Sequence, residues 1–163
     1  MEHAPRISPA RIRKKRLLER LRQKIVLLVE DDDEFRRLLS SVLTAEGYAV
    51  IEAANGDDAF DWLGPWAMEG ALEFAPDLIV SDIRMPYFTG LEILEGVQVA
   101  SEYVPVILMT AFPDAETLLH AGRLGAVCVL AKPFEMSQFR NAVRSALDPI
   151  ELEPPNAPRG GCR

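Results

Sequence analysis

Blocks of apolar residues alternate with helical patterns along the chain from Lys24 onward. Five short, mainly apolar runs have the composition of parallel strands that are buried on both faces. The runs are IVLLV (25–29), YAVIEA (48–53), DLIVSD (77–82), VPVILMT (104–110) and AVCVLA (126–131). The alternation predicts an α/β fold, a doubly wound five-stranded parallel sheet with right-handed crossovers and helices on both faces.

The segments between and after these runs carry apolar residues at helical spacing. The clearest stripe follows the first strand and consists of Phe35, Leu38, Leu39, Val42 and Leu43. Further helices are predicted from about 57, over 89–100, over about 114–124 and over about 135–147. The second of the five helices is expected to break at Gly64 and Pro65, because proline lacks a backbone donor and clashes with the preceding turn.

The two ends of the chain differ from its middle. Residues 1–23 form a basic arm, where leucines at helical spacing predict a short amphipathic helix. Residues 24–147 are expected to form one domain, and the proline-rich residues 148–163 a disordered tail. Residues 1–24 have a net charge of +7 and the remainder −14, within a total of −7. The acidic body repels nucleic acid, so only the arm could attract a nucleic acid or an anionic membrane.

Composition also indicates where the protein works. No apolar run approaches the ~20 residues that a membrane span needs. The basic N-terminus lacks the apolar stretch of a secretory signal. The two cysteines, Cys128 and Cys162, form neither a disulfide framework nor a zinc pattern. A cytoplasmic location is therefore expected.

Polar residues stand where four of the five predicted strands end. Glu30 and Asp31 follow the first strand, Asp82 ends the third, Thr110 the fourth and Lys132 the fifth. Ligands of doubly wound sheets bind beyond the carboxyl ends of the strands, so these residues are expected to share one pocket. Two carboxylates about 4 Å apart repel by roughly 4 kcal/mol at an effective dielectric near 20. Because Mg²⁺ binds a few carboxylates and several waters, the pattern predicts a magnesium site.

Four segments resemble a known family. They are LLVEDDDEFRRLL, VSDIRMPYFTGLEIL, ILMTAF and GAVCVLAKPF. In order and approximate spacing they are similar to the signature segments of response regulator receiver domains, the CheY-like superfamily of two-component signalling. The resemblance covers about residues 24–147 and implies a flavodoxin-like sheet with the receiver topology.

The resemblance implies a phosphorylation site and its metal. Asp82, in the D-x-x-M-P motif, matches the phosphoacceptor of the family. Glu30 and Asp31 match the acidic pair that holds Mg²⁺ with Asp82. Arg84 matches the position whose backbone carbonyl completes the metal shell.

The resemblance also implies a phosphoryl-binding set and a switch. Thr110, the small residue Ala111 and Lys132 match the positions that bind the phosphoryl group, and Lys132–Pro133 is a candidate cis peptide. Thr110 and Val129 occupy the switch positions. The family usually has Tyr or Phe where Val129 stands, and valine cannot swing inward as that ring does. The usual coupling to the face formed by the fourth helix, fifth strand and fifth helix is therefore in doubt.

The span from Asn55 to Pro76 is several residues longer than is usual in the family. It contains LGPWAMEGALEF, in which Trp66 and Met68 either form a contact surface or fold back on the core.

The resemblance implies a phosphorylation-controlled signalling switch. A histidine kinase or phosphotransfer protein would donate to Asp82, and the chain would catalyse only its own phosphorylation and dephosphorylation. The signal would pass through contacts with an unknown downstream protein. Formation of a homodimer is a further possibility that the sequence does not decide. The alternative is a receiver-like binding module that works without phosphorylation. A nucleotide-binding enzyme is disfavoured because no glycine occurs between Met1 and Glu46, and a D-x-D phosphatase because Arg84 replaces the second acid.

Overall fold

In the computed structural model, strands and helices alternate along the chain. The structure describes residues 23–69, 75–100 and 104–148. The strands are β1 (Ile25–Val29), β2 (Ala49–Ala53), β3 (Leu78–Asp82), β4 (Val106–Thr110) and β5 (Cys128–Ala131). The helices are α1 (Asp33–Ala45), α2 (Gly56–Glu69), α3 (Gly90–Val99), α4 (Ala115–Arg123) and α5 (Met136–Leu147). The predicted fold class is confirmed, and β2 to β5 begin one or two residues later than predicted.

The strands form one parallel sheet in the order β2-β1-β3-β4-β5. Val29 pairs with Ser81, Asp82 with Met109, and Thr110 with the last residue of β5. The carboxyl ends of β1, β3, β4 and β5 therefore lie side by side at one edge. This order confirms the neighbours that the sequence analysis expected around the pocket.

Alternate strand residues face two separate hydrophobic clusters. On one face, Leu27, Ile79 and Leu108 pack with residues of α2, α3 and α4. On the other, strand residues such as Leu28 and Ile107 pack with residues of α1 and α5. Because each fully buried Leu or Ile contributes about 1.5–3 kcal/mol, these two clusters stabilise the sheet from both sides.

Side-chain caps set the beginnings of the helices that flank the pocket. The Asp32 carboxylate accepts a hydrogen bond of 2.8 Å from the backbone N–H of Phe35 and begins α1. Thr89 begins α3 in a capping box with Glu92. Gly47, with a φ of 92°, supplies the left-handed turn after α1. The N-termini of α1 and α3 therefore both lie at the carboxyl edge of the sheet.

The expected break of α2 is wrong. The helix continues through Gly64 and Pro65 as far as Glu69. An interior proline costs about 3 kcal/mol, but Leu63 and Trp66, on either side of it, are 2% and 3% exposed and pack in the first cluster. Burial of two large apolar side chains offsets that cost. Trp66 thus folds back on the core, while the side chain of Met68 lies outside the described part.

Two other expectations concern the ends and the membrane. Among the described residues, no helix is long and apolar enough to cross a bilayer. The predicted helix of the basic arm and nearly all of the predicted tail lie outside the described residues.

Candidate functional site

A pair of carboxylates shares one ammonium group at the carboxyl edge of the sheet. Nζ of Lys132 lies 2.7 Å from Oε2 of Glu30 and 2.9 Å from Oδ1 of Asp82. Glu30 is 1% exposed and Asp82 is 6% exposed. The structure therefore brings together three predicted residues from the ends of β1, β3 and β5. The single ammonium offsets the repulsion between two carboxylates that are largely removed from water.

A third carboxylate completes the acidic group. Asp31 is exposed, and one of its oxygens lies within 4.8 Å of ligand oxygens from Glu30 and Asp82. Three hard oxygen donors with one side open to water are a donor set that suits Mg²⁺. The backbone of Arg84 borders the same pocket, since its N–H donates a 3.1 Å hydrogen bond to Oδ2 of Asp82. The residues present therefore fit the predicted ion.

Thr110 and Ala111 lie beside this group at the end of β4. Thr110 is 1% exposed, and its Oγ1 accepts a hydrogen bond of 3.0 Å from the N–H of Phe112. Its carbonyl oxygen accepts a 2.7 Å hydrogen bond from the N–H of Lys132. Ala111 is exposed. The last residue of β4 is thus bonded to the first residue after β5.

The remaining predicted positions lie around this centre. Val129 is half-buried and packs against the first cluster, and it has no aromatic ring that could change its orientation. The guanidinium of Arg84 lies over the exposed ring of Phe112, 4.4 Å from its centre. The peptide bond between Lys132 and Pro133 is cis, as the sequence analysis proposed.

The pKa values of Glu30 and Lys132 are both raised, although burial and charge act in opposite directions on each of them. Burial raises the pKa of Glu30 above its ordinary value, although Lys132 acts to lower it. Burial acts to lower the pKa of Lys132, but its hydrogen bonds and charge interactions with Glu30 and Asp82 outweigh that effect and raise it. Lys132 therefore stays charged at neutral pH.

Arg36 is a site residue that the sequence analysis missed. Its Nη1 donates a 2.7 Å hydrogen bond to the carbonyl oxygen of Glu30, and its side chain is 12% exposed. Its Nε lies 3.3 Å from Glu52, and its Nη2 binds Asp33. The guanidinium thus connects α1 with the ends of β1 and β2. An arginine one turn into a helix that begins with acids was the available sequence signal.

We expect Arg36→Met to weaken Mg²⁺ binding by about tenfold or more, the range found when groups that orient metal ligands are removed. The carbonyl of Glu30 loses its donor, so the backbone that carries Asp31 is held less firmly. Arg37→Met, one residue further along α1 on an exposed position, is the matched control. Mg²⁺ titration by calorimetry measures both variants, and equal affinities would contradict this role.

The loop after β3 depends on close packing by glycines. A Cβ at Gly90 would overlap the carbonyl oxygen of Asp82, and a Cβ at Gly56 would overlap Phe88. The Phe88 ring also packs edge-on against Phe60 of α2, with centres 4.8 Å apart. The loop that follows Asp82 is therefore held at both ends by contacts that exclude larger residues.

Comparison with known families identifies this arrangement. The family described as "Response regulator receiver domain" matches residues 26–144. The chain belongs to the response regulator receiver family. The matched residues contain the ten described elements except for the first residue of β1 and the last three residues of α5.

Curated receiver proteins resemble the chain over most of its length. It is 35% identical over 122 residues to "Sporulation initiation phosphotransferase F" of Bacillus subtilis, which spans 75% of this chain and 92% of that protein. It is 34% identical to "Regulatory protein AtoC" of Escherichia coli, across 75% of this chain but only 25% of that protein. The chain therefore spans about a quarter of the length of that second relative.

Solved receiver structures have the same architecture. The chemotaxis response regulator CheY4 of Vibrio cholerae has a TM-score of 0.65 and 28% identity, covering 77% of this chain and all of that one. The receiver domain of HemR from Leptospira biflexa has a TM-score of 0.68 and 27% identity, covering 82% and 99% of the two chains. The predicted receiver topology is confirmed.

Membership also confirms the predicted class of function. The chain is a signalling receiver of the two-component type, and a role as a phosphorylation-controlled switch is favoured over that of a phosphorylation-independent binding module.

Proposed function

We propose that this receiver accepts a phosphoryl group on Asp82 from a histidine kinase or a phosphotransfer protein. The observation that supports the proposal most strongly is the position of the Lys132 ammonium, 2.9 Å from Asp82 and 2.7 Å from Glu30. A buried carboxylate next to a fixed cation is suited to nucleophilic attack on an anionic donor.

The transfer step follows from the contacts of Asp82. One oxygen of its carboxylate attacks phosphorus, while the bond from phosphorus to the donor's leaving group breaks and its electron pair departs with that group. The N–H of Arg84 and the ammonium of Lys132 each hold one of the two carboxylate oxygens, so the group is oriented before the donor arrives. Lys132 then offsets charge on the transferring group.

Glu30, Asp31 and Asp82, with the backbone carbonyl of Arg84, would hold Mg²⁺ in this proposal. When bound, the ion supplies positive charge at the oxygens of the phosphoryl group. The exposed side of Asp31 leaves the pocket open to water. Water can then hydrolyse the acyl phosphate on Asp82, so the chain would also remove its own phosphoryl group.

Phosphorylation adds roughly −1.5 to −2 charge to the pocket. The Thr110 hydroxyl can donate to a phosphoryl oxygen, and Lys132 can move from Glu30 toward the new charge. Because the N–H of Lys132 binds the carbonyl of Thr110, the loops after β4 and β5 would move together. With Val129 in place of a ring, the signal would reach a downstream protein through these loops. A cytoplasmic location belongs to the same proposal.

Incubation with Mg²⁺ and acetyl phosphate tests the proposal. Intact-mass spectrometry is expected to show the gain of one phosphoryl group that survives acid and is lost in base, as an acyl phosphate is. Chelation of Mg²⁺ is expected to suppress the gain. A protein that gains no mass with acetyl phosphate, phosphoramidate or a kinase would refute the proposed chemistry.

A further inference from the structure

An apolar groove lies between α2 and α3, on the face of the sheet that carries the first hydrophobic cluster. It encloses 310 Å³ and is lined by Phe60, Leu63, Gly64, Trp66, Ala67, Gly96 and Val97. A Cβ at Gly96 would lie 3.0 Å from the ring of Phe60, so this glycine allows the two helices to approach. Its lining can accept one or two aliphatic side chains from another segment.

The charged residues on the two helices that form the groove are all acids. The exposed acids on them are Asp57, Asp58, Asp61, Glu92 and Glu95. Neither α2 nor α3 contains Lys or Arg, whereas α1, α4 and α5 each contain at least one arginine. An apolar groove between two helices that carry acids and no basic residue is complementary to a basic amphipathic helix.

The chain itself contains such a segment. Residues 8–22 carry seven Lys/Arg and one Glu. Leu17 and Leu21 stand four residues apart, the spacing that puts two side chains on one side of a helix. Leu18 adds a further apolar residue to the same turn.

The point of attachment also favours this segment. It joins the described residues at Gln23, whose side chain donates to the carbonyl of Gly47 at the amino edge of the sheet. Both α2 and α3 begin at the carboxyl edge and end at the amino edge, so Ala67 and Val97 lie toward the edge where the arm begins. Leu17 lies six residues before Gln23, about 9 Å along a helix, which is similar to the 8–10 Å between packed helices. The arm therefore begins at the edge toward which Ala67 and Val97 of the groove lie.

We propose that residues 8–22 dock in the groove between α2 and α3 of their own chain, with leucine side chains in the apolar lining and basic side chains toward exposed acids of the two helices, such as Asp61 and Glu95. Attachment through a short tether gives the arm a high effective concentration, in the millimolar range, at this groove. Its basic charge is then partly neutralised by the body of the same molecule.

Tryptophan fluorescence of the full chain tests this docking. The chain has two tryptophans, and both Trp62 and Trp66 lie on α2. In a Leu17→Ser, Leu21→Ser double variant, we expect the emission to shift to the red and to be quenched more readily by acrylamide. In wild-type protein, 1 M salt is expected to cause part of the same shift, because the Debye length falls to about 3 Å.

Matched variants separate this proposal from its competitors. Ile150→Ser with Leu152→Ser, in the opposite terminal segment, is expected to leave the emission unchanged. Unchanged emission of the Leu17→Ser, Leu21→Ser variant would overturn the proposal. A red shift produced by Leu72→Ser alone would also overturn it, because the groove would then hold the α2–β3 connection. A signal lost on dilution would assign the groove to a second copy and also overturn docking within one chain. If the full chain binds anionic vesicles or DNA through the arm and the tryptophan emission does not change, docking in the groove is also overturned.

Discussion

Asp82→Asn is expected to abolish the phosphoryl mass gain completely. The amide nitrogen cannot replace the lost carboxylate oxygen as a nucleophile, and the amide carries no negative charge. The fold is expected to survive, because the change removes one of two buried negative charges while Lys132 keeps its 2.7 Å contact with Glu30. Intact-mass spectrometry after incubation with acetyl phosphate measures the loss, and thermal unfolding checks the fold.

Asp148→Asn is the matched control for this experiment. Asp148 is exposed and follows the end of α5, at the opposite edge of the sheet from the pocket. The control is expected to gain phosphoryl mass at the wild-type rate. Persistence of the full mass gain in Asp82→Asn would show that another residue is the acceptor.

Lys132→Met is expected to destabilise the metal-free protein by about 3–5 kcal/mol at pH 7, the cost of leaving buried charges without a partner. Glu30 and Asp82 would then face each other with no cation between them. Saturating Mg²⁺ is expected to restore part of the loss, because it binds only the folded state. The rate of phosphorylation is expected to fall by about a hundredfold or more, as when one charge-stabilising donor is removed from an active site.

The pH dependence of this variant follows from the raised pKa of Glu30. A carboxyl whose pKa is higher in the folded than in the unfolded state stabilises the fold below the unfolded value, and that stability is lost as pH rises through the folded value. The cost of Lys132→Met is therefore expected to shrink as the pH is lowered toward 4.5, the ordinary value for glutamate. Denaturant unfolding at several pH values measures this trend.

Lys24→Met provides the control for the lysine experiment. Lys24 pairs with Asp77 at 3.6 Å, and its side chain is 35% exposed. A pair so accessible to solvent is worth about 1 kcal/mol or less. Similar destabilisation by both lysine variants would contradict the special role of Lys132.

Much of the pocket was predictable because strand ends are local features. Glu30, Asp82 and Thr110 each come directly after or at the end of a strand that is visible as an apolar run. Parallel strands bring such ends to one edge whatever their exact register. The resemblance then added roles that the residue types alone left open, and family membership agrees with the class of function that it implied.

Other features depended on contacts between distant parts of the chain. The break expected at Pro65 did not occur, because the penalty is local while the compensating burial of Trp66 comes from the tertiary core. The role of Arg36 was not predictable either, since the contact that links it to the pocket is with the backbone carbonyl of Glu30 rather than with one of the acids around it.

The order of strands and helices, the acids at the strand ends and the uneven charge were determined by the sequence alone, since each arises from periodicity or composition along a short stretch. Only the tertiary structure decided that Lys132 lies between Glu30 and Asp82, and that Arg36 holds the backbone of Glu30. Lys132 and Glu30 are 102 residues apart along the chain. Contacts at that separation depend on how strands are ordered and helices packed, which no local pattern specifies.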